Sequence, residues 1–140
     1  MNSYHYESTE ERKRLILVDT DIGGDCDDAG AMAVLFRLAR EKQFPFAVAC
    51  CTPDPACAEV VGAVAGSRGV TLPSIGLAER TPLPADDVFH VYDRPVAAEF
   101  RGRYPAVPTG EALAFYLRVL RAAGQVENGV LRRAVGDQYR

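Results

Sequence analysis

The chain contains no tryptophan, two histidines (His5 and His90) and two lysines (Lys13 and Lys42). No apolar run approaches the ~18 residues that a membrane-crossing helix needs. There is no basic excess either: the net charge is -3, which disfavours a nucleic-acid partner. Met1 to Arg14 is polar and mixed in charge, without the apolar stretch of a signal peptide. These absences predict a soluble cytoplasmic domain with neither nucleic acid nor membrane as partner. The four cysteines, Cys26, Cys50, Cys51 and Cys57, form no CxxC pair, and only His5 and His90 can join them as zinc ligands. Cys50 and Cys51 sit in an apolar run, where cysteine behaves as a small hydrophobe. All four therefore read as reduced and structural.

What is present is ordinary globular material. Hydrophobic residues make up 48% and charged ones 25% of 140 residues, enough for one domain that buries roughly 68% of its unfolded surface. Leu15 to Val18 is a continuous apolar run, the mark of a buried strand. A helix is expected from Ala29 to about Glu41, with Met32, Leu35, Phe36 and Ala39 on one face. Phe46 to Cys51 reads as a second buried strand. A second helix follows from Ala56 to Ala65, stopped by Gly66 and Gly69, and a third strand from Val70 to Leu77. Residues 78–108 form a long proline-rich connection, with a helical turn around Val96 to Phe100. Gly110 to Ala123 is expected to be helical, with Leu113, Tyr116, Leu117 and Leu120 on one face. A fourth buried strand should come next, yet Gln125 to Arg140 offers only Gly129-Val130-Leu131. Alternating strands and helices predict an α/β fold: an open, mostly parallel, doubly wound sheet with flanking helices.

Five aspartates crowd the first strand–helix loop: Asp19, Asp21, Asp25, Asp27 and Asp28. Capping of the following helix accounts for one or two of them. Five mutually repelling carboxylates beyond the carboxyl end of a strand point instead to a hard divalent cation, calcium or magnesium. An EF-hand is excluded, because the twelfth residue from Asp19 is Gly30 rather than a bidentate Glu. A phosphatase of the haloacid-dehalogenase kind, with Asp19 as nucleophile, fits less well. Gly23 stands where that family has Thr or Val, and neither lysine is well placed.

The string Val18-Asp19-Thr20-Asp21-Ile22-Gly23-Gly24-Asp25-Cys26-Asp27-Asp28-Ala29 resembles the N-terminal aspartate motif of the inosine/uridine-preferring nucleoside hydrolases, in its DTDxGxDxDDA variant. The similarity continues through Phe46 to Cys51, Leu72 to Gly76, Ala97 to Phe100 with Tyr104-Pro105, and Ala112 to Leu120. It implies three segments: a polar leader (1–13), the N-terminal part of a nucleoside-hydrolase-like domain (14–124) and a divergent tail (125–140). It also implies a hydrolase of purine and pyrimidine salvage, which cleaves the N-glycosidic bond of a ribonucleoside to ribose and free base. The implied cofactor is one Ca2+, which binds a water and two ribose hydroxyls. By position, Asp21 would be a calcium ligand and general base, Asp28 a second ligand and Asp25 a supporting one. Asp27 would hydrogen-bond the ribose, and Asp19 would lend a further carboxylate. An oxocarbenium-like transition state is stabilised by such a carboxylate-rich pocket.

Two departures qualify that resemblance. Thr52 stands where the family usually has an asparagine on the ribose. The family's later calcium-binding carbonyl, ribose-binding Asn and Glu, and histidine–aspartate pair have no counterpart before the chain ends at Arg140. His90 is the one candidate for a replacement acid, and His5 is expected to be solvated. The break at Gly124 predicts a product truncated by a frameshift, and with it either an impaired hydrolase or an inactive metal-binding remnant. Such a chain leaves a sheet edge and a helix face uncovered, so poor solubility or homo-oligomers are expected in size-exclusion chromatography. A sharp monomeric peak with cooperative unfolding would contradict the truncation.

Overall fold

The computed structural model describes residues 15–79 and 90–123, together with the backbone of 126–127 and 130–131. The leader with His5, residues 80–89 of the long connection, and most of the tail lie outside the described residues.

Four parallel strands form the sheet: β1 (Ile16–Thr20), β2 (Phe46–Cys50), β3 (Ile75–Leu77) and β4 (Thr109–Glu111), in the spatial order β1-β2-β3-β4. β1 and β2 pair from Ile16↔Phe46 to Thr20↔Cys50. β2 meets β3 at Ala49↔Gly76, and β3 meets β4 from Ile75↔Thr109 to Leu77↔Glu111. Helices α1 (Asp27–Lys42), α2 (Pro55–Ser67) and α3 (Asp93–Phe100) fill the crossovers, and α4 (Ala112–Ala122) follows β4. Beyond it, β5 (Val126–Glu127) and β6 (Val130–Leu131) pair antiparallel as a separate two-stranded ribbon. The fold is α/β, as expected.

Each crossover advances one strand in the same direction, so a constant handedness puts α1, α2 and α3 on one face of the sheet. There α1 packs on α2 and α2 on α3. Their core joins Val48, Cys50 and Ile75 of the strands to Met32, Phe36, Cys57, Val60, Val61 and Ala97 of the helices. Side chains alternate along a strand, so Ala49 and Gly76 face the other way, and α4 lies on that second face across β3 and β2. Phe115 of α4 sits so close that a Cβ on Gly76 would lie 2.8 Å from its Cδ1 and 3.1 Å from the Ala49 Cβ. Glycine at 76 is what lets the helix seat.

The helix ends follow from local chemistry. Acidic Asp27 and Asp28 open α1, basic Arg40 and Lys42 close it, and Gln43 leaves it in the left-handed conformation (φ 55°) with its N–H on the Ala39 carbonyl. Asp54 caps α2 by accepting from the Ala56 N–H at 2.8 Å, with Pro55 in the first turn. Glu111 caps α4 by accepting from the Leu113 and Ala114 N–H groups.

Several expectations are corrected. β1 is not a buried strand: Ile16 is 41% exposed, because among the described residues β1 has a partner on one side only. The third strand is three residues rather than eight, starting after Pro73, which has no N–H for a ladder. The fourth strand precedes the last helix instead of following it. Thr109-Gly110-Glu111 is wholly exposed and carries no apolar signature, being held through backbone bonds to β3. Helix α2 continues through Gly66 to Ser67, and α3 is two turns rather than one. Gly66 instead makes room for the Tyr104 ring, which a Cβ would meet at 2.5 Å. The expected face of α4 is rotated: Phe115 is its buried residue, while Leu113 is 65% exposed. The α1 face behaves as expected, with Met32, Phe36 and Ala39 buried and Leu35 packed beside them. No helix among the described residues is long and apolar enough to cross a membrane.

The Gly76–Phe115 contact is directly testable. Gly76→Ala should cost about 1–3 kcal/mol in urea unfolding, since one methyl overpacks a closed contact. Phe115→Leu in the same chain should return part of that cost. An unchanged midpoint in the single variant would show that α4 does not seat this closely.

Candidate functional site

The aspartate loop leaves the carboxyl end of β1, next to the ends of β2 and β3, where open α/β sheets take their ligands. Its geometry starts at Thr20, which is buried. The Thr20 hydroxyl donates to Asp28 Oδ2 and accepts from the Ile22 N–H at 3.1 Å. The same Asp28 oxygen accepts from the Asp21 N–H at 3.2 Å. One carboxylate thus ties the end of β1 to the first turn of α1. Ile22 is buried in the core and anchors the loop from below. Gly23 adopts φ 140°, a region that a side chain rarely tolerates. Its carbonyl accepts from both Val91 N–H (2.8 Å) and Tyr92 N–H (3.1 Å). The loop is therefore fastened to the segment that opens α3.

The expected site residues fall on this rim. Asp21 follows β1 and is exposed; Asp25 lies exposed in the loop; Asp27 and Asp28 are the first two residues of α1, exposed and half-buried respectively. Asp25 and Asp27 are near neighbours. The Asp27 carboxylate, by hydrogen bond and by charge, holds Asp25 above the ordinary carboxylate range. The same hydrogen bond, with the Asp28 N–H at 2.9 Å from Asp27 Oδ1, holds Asp27 below it. Asp19 is exposed near the Tyr116 hydroxyl of α4; burial first, then Asp19, pushes that phenol upward. Thr52 is half-buried just beyond β2. Capping turns out to be a minor occupation of these carboxylates: the N-cap of α1 is Cys26, which makes no side-chain cap.

The loop does not gather its carboxylates as closely as a metal-ligand set. Among the described residues, the one group of three whose ligand atoms all lie within 4.8 Å of one another is Cys57, His90 and Asp93. These residues can hold a metal ion. The sequence marks His90 as an acid candidate and as one of two histidines that can join the cysteines on zinc, marks Cys57 as a structural thiol, and does not single out Asp93. Nothing in their spacing joins them, because α2 supplies Cys57 while His90 and Asp93 come more than thirty residues later, inside the long connection. The one available signal was His90-x-x-Asp93, an i,i+3 pair at a helix start. The expectation for cysteine also needs a correction: Cys51 is exposed at the end of β2, as is Cys26 in the loop, whereas Cys50 and Cys57 are buried. Comparisons with protein-family models, with curated proteins and with solved structures find no match to this chain.

Thiol chemistry reports on this arrangement. Burial pushes the Cys50 thiol up to about 12, with the charges of Cys51, Asp19 and Asp28 adding. Burial likewise raises Cys57, next to Asp93. At mildly alkaline pH a disulfide reagent should modify Cys26 and Cys51 in the folded chain and reach Cys50 and Cys57 only after unfolding. Peptide mapping that finds Cys50 or Cys57 labelled in the native protein would contradict the packing described.

Proposed function

We propose that this chain is a calcium-dependent N-ribosyl hydrolase of the nucleoside-hydrolase kind, which cleaves a ribonucleoside to ribose and free base. The observation that carries the reading is the Thr20–Asp28–Asp21 arrangement, which collects Asp21, Asp25, Asp27 and Asp28 on one rim beyond the sheet. The donors are of the kind calcium takes, every one a carboxylate oxygen on an accessible loop, and they must draw together around the ion to hold it. Asp21, Asp25 and Asp28 would hold it. When bound, the ion supplies acidification of a water and a fixed orientation for the ribose diol.

The chain's own groups account for the remaining work. Asp21 is exposed directly after β1 and acts as general base, taking a proton from the attacking water. Asp27 accepts a hydrogen bond from a ribose hydroxyl, and Thr52, just beyond β2, offers a hydroxyl that does the same. The water oxygen bonds to the anomeric carbon as the bond to the base nitrogen breaks, and the electron pair leaves with the base, which takes up a proton. Positive charge develops on the sugar in that step, and the surrounding carboxylates stabilise it where it forms.

Incubation of the chain with inosine or uridine and calcium, with chromatography of the products, should release free base. Excess EDTA should abolish that release, and Asp21→Asn should lower kcat/KM by on the order of 10²–10⁴. No base release from either nucleoside, or release that survives both EDTA and Asp21→Asn, overturns the reading.

A further inference from the structure

We propose that Cys57, His90 and Asp93 form a zinc-binding site of the open, three-ligand kind, which pins the start of α3 to α2 behind the aspartate loop. Asp93 is the residue that demands an explanation. It is 0% exposed, and a buried carboxylate is costly unless its charge and lone pairs are met. Its Oδ2 is doubly engaged: the Cys57 thiol donates to it at 3.6 Å, and His90 Nδ1 lies 2.5 Å away. Its Oδ1 is buried with no hydrogen-bond partner among the described residues. A buried carboxylate with one oxygen unpaired and the other facing a thiol and an imidazole is an arrangement that a cation completes.

The donor chemistry selects the cation. Sulfur, nitrogen and a carboxylate oxygen together suit zinc and exclude calcium, which takes oxygen ligands. The spacing agrees as well. Zinc–sulfur and zinc–oxygen bonds of about 2.3 and 2.0 Å at a tetrahedral angle separate the two donors by about 3.5 Å, close to the 3.6 Å between Cys57 Sγ and Asp93 Oδ2. His90 is too near Asp93 for the same geometry and draws back by about 1 Å. Its side chain is 11% exposed and belongs to the irregular backbone ahead of α3, where such an adjustment meets no helix. On binding, the Cys57 proton passes to solvent and the thiolate–zinc bond forms. Burial keeps Cys57 protonated when no cation faces it, and a dication reverses that preference. Asp54 Oδ2 lies 3.9 Å from His90 Nδ1 but is engaged with Arg94 at 3.1 Å, while its Oδ1 caps α2. It therefore acts as a neighbouring charge rather than as a ligand. The backbone of Val91 and Tyr92 holds the Gly23 carbonyl, so a metal at this position braces the aspartate loop from behind without entering it.

The test uses cobalt(II) as a spectroscopic stand-in for zinc on the reduced, full-length chain. One equivalent should produce a thiolate-to-cobalt charge-transfer band in the near ultraviolet, which zinc bleaches stoichiometrically and a large excess of calcium leaves intact. Cys57→Ser should remove the band, and Asp93→Asn should weaken cobalt binding by on the order of tenfold or more. Asp28→Ala and the double variant Cys26→Ser/Cys51→Ser should both keep it. Circular dichroism establishes whether Cys57→Ser is folded. If it is not, the double variant decides, because loss of the band there assigns the thiolate to the exposed cysteines and overturns the site. Absence of a band in the parent chain, or its survival in folded Cys57→Ser, overturns it equally.

Discussion

The Asp28 carboxylate, shared between the Thr20 hydroxyl and the Asp21 N–H, is the interaction on which the rim of this molecule depends. It spans the gap between the last residue of β1 and the first turn of α1, and so sets the path of every residue between them. Its location is favourable twice over. The carboxylate sits at the positive end of the α1 dipole, and it satisfies a buried hydroxyl that would otherwise be costly. The other loop carboxylates are exposed, and Asp27 lies close enough to Asp25 to hold its carboxyl above the ordinary range. A loop of this kind is ordered by one acid and leaves the rest accessible for ligands.

Behind that rim the helices are held by contacts of a different sort. Arg40 of α1 reaches the Arg68 carbonyl at the end of α2. Arg101, just past α3, forks onto Glu59 of α2, and Arg94 of α3 onto Asp54. These exposed ion pairs are each worth little on their own. They join α3 to α2 at the surface, while Asp93 meets Cys57 and His90 in the interior. Both clusters of chemistry-bearing residues therefore meet at one corner: the aspartates in front, and the thiol, imidazole and buried carboxylate behind. The Gly23 carbonyl joins them through the Val91 and Tyr92 N–H groups.

Much of the fold was legible along the chain. The period of Met32, Phe36 and Ala39 marks α1 because a helix returns to the same face every three or four residues. Asp54-Pro55 marks the start of α2 because each residue type suits its position there. β4 was not legible, since a three-residue edge strand is stabilised by backbone pairing to β3 and leaves no pattern in its side chains. The face of α4 was misread for a related reason. What decides it is the space opposite Gly76, and that space belongs to the sheet rather than to the helix.

The same division runs through the candidate sites. The sequence by itself determined that the carboxylates crowd the end of a strand, because five aspartates within ten residues remain close in any fold that keeps the strand–loop–helix order. Only the tertiary structure decided that Asp28 is the organising member, because that role needs Thr20 turned inward by its pairing in β1. Only the tertiary structure, too, could bring Cys57 to His90 and Asp93. Contacts between residues more than thirty positions apart depend on how α2 and α3 cross the same sheet face, and that packing is written in no local run of side chains.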